Sequence, residues 1–356
     1  MGRLDVEIVV VGGGVMGLAT ARSLARAGRE VALVEQFRVG HEHGSSHGGS
    51  RIFRLSYPDA QWVRLALAAL PLWRELEAEA GEPLIERHGS LDLGDWKPNR
   101  DALAVSGIEF EVLDGAEIAR RFPLEVENGE TGLFQADGGI VRADAALRAL
   151  LASAVAAGAR VLEETRVTSL EPDGTGVTVA GAAVSFRAGA VVVTAGAWAR
   201  GLLEPLGVAL EVDPTRETVS YFELASDEPV PSLIDLAEGA GPGQLGYALV
   251  APGIGLKAGI HHTGAPTNAE EPGVPDTTIA GWTVDWVTRR FRGAVANHRL
   301  ETCLYTNTAD ESFVLERHGR IVVGSACSGH GFKFAPIVGE RLAALAVNER
   351  GRARRA

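Results

Sequence analysis

Three features of the sequence predict an α/β fold made of two interleaved units. A strand–helix–strand pattern opens the chain, short alternating runs replace it from about residue 84, and apolar helices with buried strands return near residue 143 and again after residue 300. The chain has 356 residues, enough for two units with a substantial core, and its 44 glycines suit many tight turns and close backbone approaches.

The elements follow from their residues. Val6–Val11 is apolar except at Glu7, and Glu30–Glu35 is apolar between its two end acids; both read as strands covered on both faces. Val15–Ala27 between them predicts a helix. From Pro58 to Glu79, Trp62, Leu65, Leu67, Leu70 and Trp73 recur at helical spacings, with a kink expected at Pro71. Residues 84–135 change to short runs such as Gly89–Leu93 and polar turns. Helix returns over 143–158, followed by strands at Arg160–Leu162, Gly176–Val179 and Ala190–Val193. Residues 217–224 and 246–260 predict sheet, and Trp282–Phe291 predicts helix. The chain closes with a strand at Arg320–Val323, a glycine-rich turn and a helix at Ile337–Val347. The predicted division joins 1–82, 136–211 and 300–356 into one discontinuous domain, and 83–135 with 212–299 into a second.

Composition narrows the function. Hydrophobic residues make up 46% and charged residues 22%, as in an ordinary globular protein. The net charge of -12 argues against a nucleic-acid partner, because phosphate binding needs a basic face. A small anionic ligand stays compatible, since a pocket can be basic on an acidic protein. The two cysteines, Cys303 and Cys327, make no disulfide framework. The N-terminus shows no leader pattern and no apolar run is long enough to span a bilayer, so no membrane partner is expected and the cytoplasm is the expected address. The basic end at 350–355 reads as a solvated tail.

Gly12, Gly14 and Gly17 form G-x-G-x-x-G between the first strand and its helix. The three positions suit a tight turn, close approach of backbone to a pyrophosphate, and close helix–strand packing. The helix N-terminus then offers free N–H groups and a positive dipole end to phosphates. Glu35 closes the second strand, where a carboxylate accepts bonds from a ribose diol and disfavours a 2′-phosphate, so FAD or NAD fits better than NADP. Thr194-Ala195-Gly196-Ala197-Trp198 after a buried strand suits backbone lying against a cofactor, or a plain turn with a core tryptophan.

Five segments together resemble the monomeric sarcosine oxidase and N-methyltryptophan oxidase family of FAD-dependent amine oxidases, in the D-amino-acid-oxidase-like group. They are Gly12–Gly17 with Glu35, Gly44–Arg54 (GSSHGGSRIFR), Gly255–His261 (GLKAGIH), Cys303–Thr306 (CLYT) and Gly329–Phe334 (GHGFKF). The resemblance covers nearly the whole chain. It implies a Rossmann-like FAD-binding domain interleaved with a mainly antiparallel β-sheet substrate domain, acting as a monomer. The chain departs from the family at Asp95–Asp101, which is shorter, and at the loop Glu238–Gly246.

The resemblance also implies roles. Cys303 matches the cysteine that links FAD covalently through a thioether, which needs a thiolate close to an electron-poor ring; an inert buried thiol is the competing reading. Cys327 has no matching role. Lys257 matches a lysine that activates oxygen, a fixed cation beside a developing anion. Arg54 and Lys333 match a pair that binds the substrate carboxylate, a planar fork and a point charge. Arg51, Ser46 and His47 are expected on the flavin side, with a plain loop histidine as the alternative for His47. His261 and Tyr247 match residues flanking the substrate amine; a structural histidine is the competing reading of His261. Tyr305 either donates a hydrogen bond or packs. Gly329, Gly331 and Lys333, followed by a helix, would aim a helix N-terminus at the flavin and favour its anionic reduced form. No residue set suggests a metal.

The implied reaction oxidises a small carboxylate-bearing secondary amine, sarcosine in the leading case, to an imine that hydrolyses, with oxygen reduced to hydrogen peroxide. The alternatives are a cyclic imino acid or larger N-methyl amino acid as substrate, and an NAD-dependent dehydrogenase built on the same glycine motif.

Overall fold

The computed structural model describes residues 3–182, 184–225, 229–236 and 245–347. Most of the loop at 238–246 and all of the basic end at 350–355 lie outside the described residues.

The opening strand, Arg3–Val11, lies inside a sheet of eight strands among the described residues. It runs parallel to Val31–Val34 on one side and to Ser185–Val193 on the other, with Val11 paired to both Val34 and Val193. Arg160–Leu162 continues the sheet beyond Val31–Val34, and Ile321–Ser325 pairs parallel with the end of Ser185–Val193. Early, middle and late segments therefore share one parallel core. Val9, Val10, Val191 and Val192 are buried on both faces, which explains apolar runs without alternation. Antiparallel strands Val167–Pro172, Val177–Gly181 and Val314–His318 widen the sheet.

Helix α1 (Val15–Arg26) starts four residues after the central strand. Helix α2 (Ala60–Ala80) is capped by Asp59, whose carboxylate accepts from the Gln61 N–H at 2.8 Å, and ends at Gly81 with φ 70°. Pro71 does not divide it; its buried face, including Val63, Ala66, Ala69, Trp73 and Leu76, holds the segment in one helix against the core.

Residues 84–135 contain strands Ile85–Glu86, Ser90–Leu93, Glu111–Asp114 and Thr131–Gln135, but also two unexpected helices, α3 (Lys97–Val105) and α4 (Gly115–Arg121). They are nine and seven residues long, too short for a helical period to stand out. Helix α5 (Ala143–Ala156) packs on α1 and α2, and short α6 (Ala199–Leu203) follows the Thr194–Trp198 turn.

The second sheet is mainly antiparallel. Asp213–Leu224 pairs with Gly255–Ile260 and with the 14-residue strand Ala294–Asn307. Gly246–Ala251 and Ser232–Asp235 continue it, and Ser232–Asp235 meets Ser90–Leu93 in a parallel pair. The expected boundary at residue 300 lies within the strand Ala294–Asn307. Helix α7 (Thr277–Arg290) covers one face, with the Trp286 indole donating to Asp235 at 2.9 Å. A third sheet of Ser50–Phe53, Gly139–Arg142 and Ile85–Glu86 carries the segment that leads to Arg54. Helix α8 (Ala335–Val347) packs on α1 so closely that a Cβ at Gly339 would lie 2.5 Å from the Ala19 carbonyl carbon. Among the described residues no helix is long and apolar enough to cross a membrane.

Candidate active site

The carboxyl ends of the parallel strands open onto one cavity of about 1280 Å³, larger than a typical drug-sized pocket of roughly 300–1,000 Å³. Of the expected site residues, Gly12, Gly14, Glu35, Ser46, Arg51, Arg54, Tyr247, Lys257, His261, Cys303, Gly329, Gly331 and Lys333 all stand on its wall. Gly17 and His47 do not.

The glycine cradle has a steric cause. Gly12 has φ +106°, and a Cβ there would meet the Thr194 carbonyl oxygen at 2.6 Å. Gly17 serves packing instead: its Cβ would lie 1.8 Å from the Gly12 carbonyl oxygen, so only glycine lets α1 start against the strand. Gly14 caps α1 without a side-chain bond, and the Val15 N–H donates to Ser46 Oγ at 3.1 Å. The Glu35 carboxylate, 4% exposed, accepts from the N–H groups of Gly13 at 2.6 Å and Phe37 at 2.8 Å. These N–H groups fix it at the strand end while it still borders the cavity.

The segment 44–54 folds around the Arg51 guanidinium, which donates to the carbonyls of Ser45 at 2.9 Å and Ser50 at 2.9 Å. The same guanidinium lies 3.9 Å from Cys303 Sγ. His47 is buried behind the wall with Nε2 unpartnered; burial, with Arg51 and then Lys257, pushes it down to about 4, so it is neutral near pH 7.

Cys303 sits on Ala294–Asn307 opposite Glu217 and turns its thiol to the cavity. Burial pushes the thiol up, while Arg51 and Lys257 pull the other way. Lys257 stands on Gly255–Ile260, 7% exposed, with Nζ 6.0 Å from the centre of the Tyr221 ring. Burial, then Arg51, pushes its ammonium down to about 8.

Arg54 and Lys333 meet through Tyr57. The Arg54 guanidinium lies 4.4 Å from the Tyr57 ring centre, and Lys333 Nζ donates to the Tyr57 hydroxyl at 2.8 Å and to the His330 carbonyl at 2.7 Å. Burial, then Arg54, holds Lys333 well below the usual lysine range. Burial, then neighbouring His262, does the same to His261. Tyr247 and Tyr305 share a side-chain hydrogen bond, and burial raises both phenols. His261, His262 and Glu311 hold ligand atoms within 4.8 Å of one another, but the charges of Arg54 and Lys333 act on the same His261 imidazole and oppose a metal ion there.

Sequence reasoning missed Tyr57 and the buried carboxylate of Asp92 behind Arg54. In the alternating run Gly89–Leu93 the acid falls at a polar position, so nothing in the sequence signals its burial. The His330 ring packs among Tyr57, Trp62, Phe313 and Phe334.

A glycine cradle that admits no side chain, a helix start capped by glycine and a strand-end carboxylate fit a dinucleotide, and the cations beyond them fit an anionic substrate. Fold and site together define a dinucleotide-dependent oxidoreductase. The family model of FAD dependent oxidoreductases (DAO) matches residues 7–345. Peroxisomal sarcosine oxidase of Mus musculus is 35% identical over 96% of this chain and 92% of its own. Monomeric sarcosine oxidase of Streptomyces avermitilis is 34% identical over 96% and 93%. The solved structure of NikD, an unusual amino acid oxidase essential for nikkomycin biosynthesis, superposes with a TM-score of 0.89 at 30% identity, over 98% of this chain and 95% of that one. The chain belongs to the FAD-dependent oxidoreductase (DAO) family, and within it to the flavoprotein amine oxidases of the sarcosine oxidase type. The NAD alternative gives way to FAD.

Proposed function

We propose that this protein oxidises a small N-methyl amino acid, sarcosine in the leading case, with oxygen as acceptor and hydrogen peroxide as product. The observation that carries the reading is the pairing of Arg54 and Lys333 through Tyr57 in the same cavity as Lys257 and Cys303. FAD, when bound, supplies the two-electron acceptor. Gly12, Gly14, Glu35 and Ser46 would hold its pyrophosphate and ribose, and Arg51 with Gly329 and Gly331 its ring end.

The chain's own residues do the rest. Arg54 and Lys333 bind the carboxylate and so fix which C–N bond faces the ring. His261, kept neutral, adds no positive charge beside the amine; the amine must lose its proton before its lone pair can assist oxidation. Tyr247 orients against Tyr305 and borders the same space. Lys257 places a buried cation where negative charge arises on oxygen. Cys303 is proposed as the covalent link, supported by its place on the cavity wall with the Arg51 guanidinium 3.9 Å from its Sγ. The division into an FAD domain and a substrate domain, a monomeric state and a cytoplasmic address remain part of this reading.

The same carboxylate anchor would serve one variant of this reading, with a cyclic imino acid or larger N-methyl amino acid as substrate. A panel of secondary-amine carboxylates with peroxide detection tests both. Sarcosine should give the highest kcat/KM, while a larger or cyclic amine in first place selects the variant. No peroxide from any of them would end the proposal. Acid precipitation of the yellow protein should leave the colour in the pellet, and Cys303→Ser should release it to the supernatant; colour released by the unaltered chain refutes the covalent link.

A further inference from the structure

Behind Arg54 stands a carboxylate that is fully buried. Asp92, in the strand Ser90–Leu93, is 0% exposed and does not reach the cavity. Its Oδ2 accepts from Asn99 Nδ2 at 2.8 Å and from the Ser56 hydroxyl, and Asn99 Nδ2 also reaches Ser56 Oγ at 3.2 Å. Its Oδ1 accepts no hydrogen bond and lies 3.7 Å from Arg54 Nη1. A carboxylate this deep is costly unless compensated, and Arg54 is the cation recorded against it. The guanidinium also lies against the ring of Tyr57, which holds Lys333.

We propose that Asp92, fixed by Ser56 and Asn99, is a positioning residue that sets the Arg54 fork for the substrate carboxylate. This rests on the reading of Arg54 and Lys333 as the carboxylate anchor. A flexible guanidinium must lose rotamer freedom each time it clasps an anion; one already held between an acid and an aromatic face has lost it beforehand. Ser56 and Asn99 keep Oδ2 engaged, which leaves Oδ1 for the guanidinium. Asn99 stands on α3 and also borders the cavity, so the segment 95–101 supplies part of the buttress.

The test is a double-mutant cycle on the flavin-loaded enzyme, with acetate as the probe and flavin absorbance as the readout. Asp92→Asn keeps the shape and removes the charge. It should weaken acetate binding about tenfold, the size expected for coupled neighbours, and raise KM for the amine by a similar factor while kcat changes far less. In an Arg54→Met background the same change should alter acetate binding by less than about twofold. An equal loss in both backgrounds, or none with Arg54 present, overturns the proposal. Should Arg54→Met itself leave acetate binding intact, the anchor reading falls instead. If Asp92→Asn yields no folded protein, Ser56→Ala removes one hydrogen bond of the buttress. It should weaken acetate about threefold, again only with Arg54 present; no Arg54-dependent loss overturns the proposal equally.

Discussion

At the scale of single residues, Lys257 carries the sharpest expectation. Its ammonium is buried and sits near about 8, so it is mostly charged at pH 7 and loses its proton as pH rises through that value. If its charge assists oxygen, reoxidation of the reduced enzyme should slow between pH 7 and pH 9.5 in stopped-flow traces. Lys257→Met should slow the step roughly 10²–10³-fold and flatten the profile, with flavin reduction by substrate far less affected. Equal losses in both half-reactions would discard the role. Most of the proposed site residues were legible only through the resemblance of five short segments to one family; composition and periodicity alone do not single them out. Tyr57 and Asp92 were not, since an aromatic and a single acid look like core and surface until a third dimension brings Arg54 between them.

At the scale of elements, the strand–turn–helix at the start was readable in full because its glycines have no substitute. Gly17 demonstrates this through packing alone, as it does not touch the cavity. Gly17→Ala would force a methyl to within 1.8 Å of the Gly12 carbonyl oxygen, so α1 must lift off its strand. The expected outcome is a loss of about 1–3 kcal/mol in urea denaturation and protein purified with little flavin. Unchanged flavin content would show that the helix position does not matter to the cradle. Helices α3 and α4 were hidden for the opposite reason: each is brief, half exposed and held by tertiary contacts rather than by its own period. The strand Ala294–Asn307 was hidden because half-exposed residues dominate its first ten positions, and its partner, Asp213–Leu224, lies some eighty residues away.

At the scale of the molecule, interleaving was predictable but the pairing was not, because strand order depends on which distant runs meet. The first sheet joins strands beginning at Arg3, Ser185 and Ile321, and α8 closes over α1. A chain cut before Ala335 should therefore fail to retain FAD on gel filtration although every glycine of its motif is present; retention would show that the cradle stands without its last helix. The contact between Gly339 and Ala19 makes α8 a backstop for α1. A side chain at position 339 would push α1 outward and loosen the pyrophosphate end of the cavity from a place that never touches it.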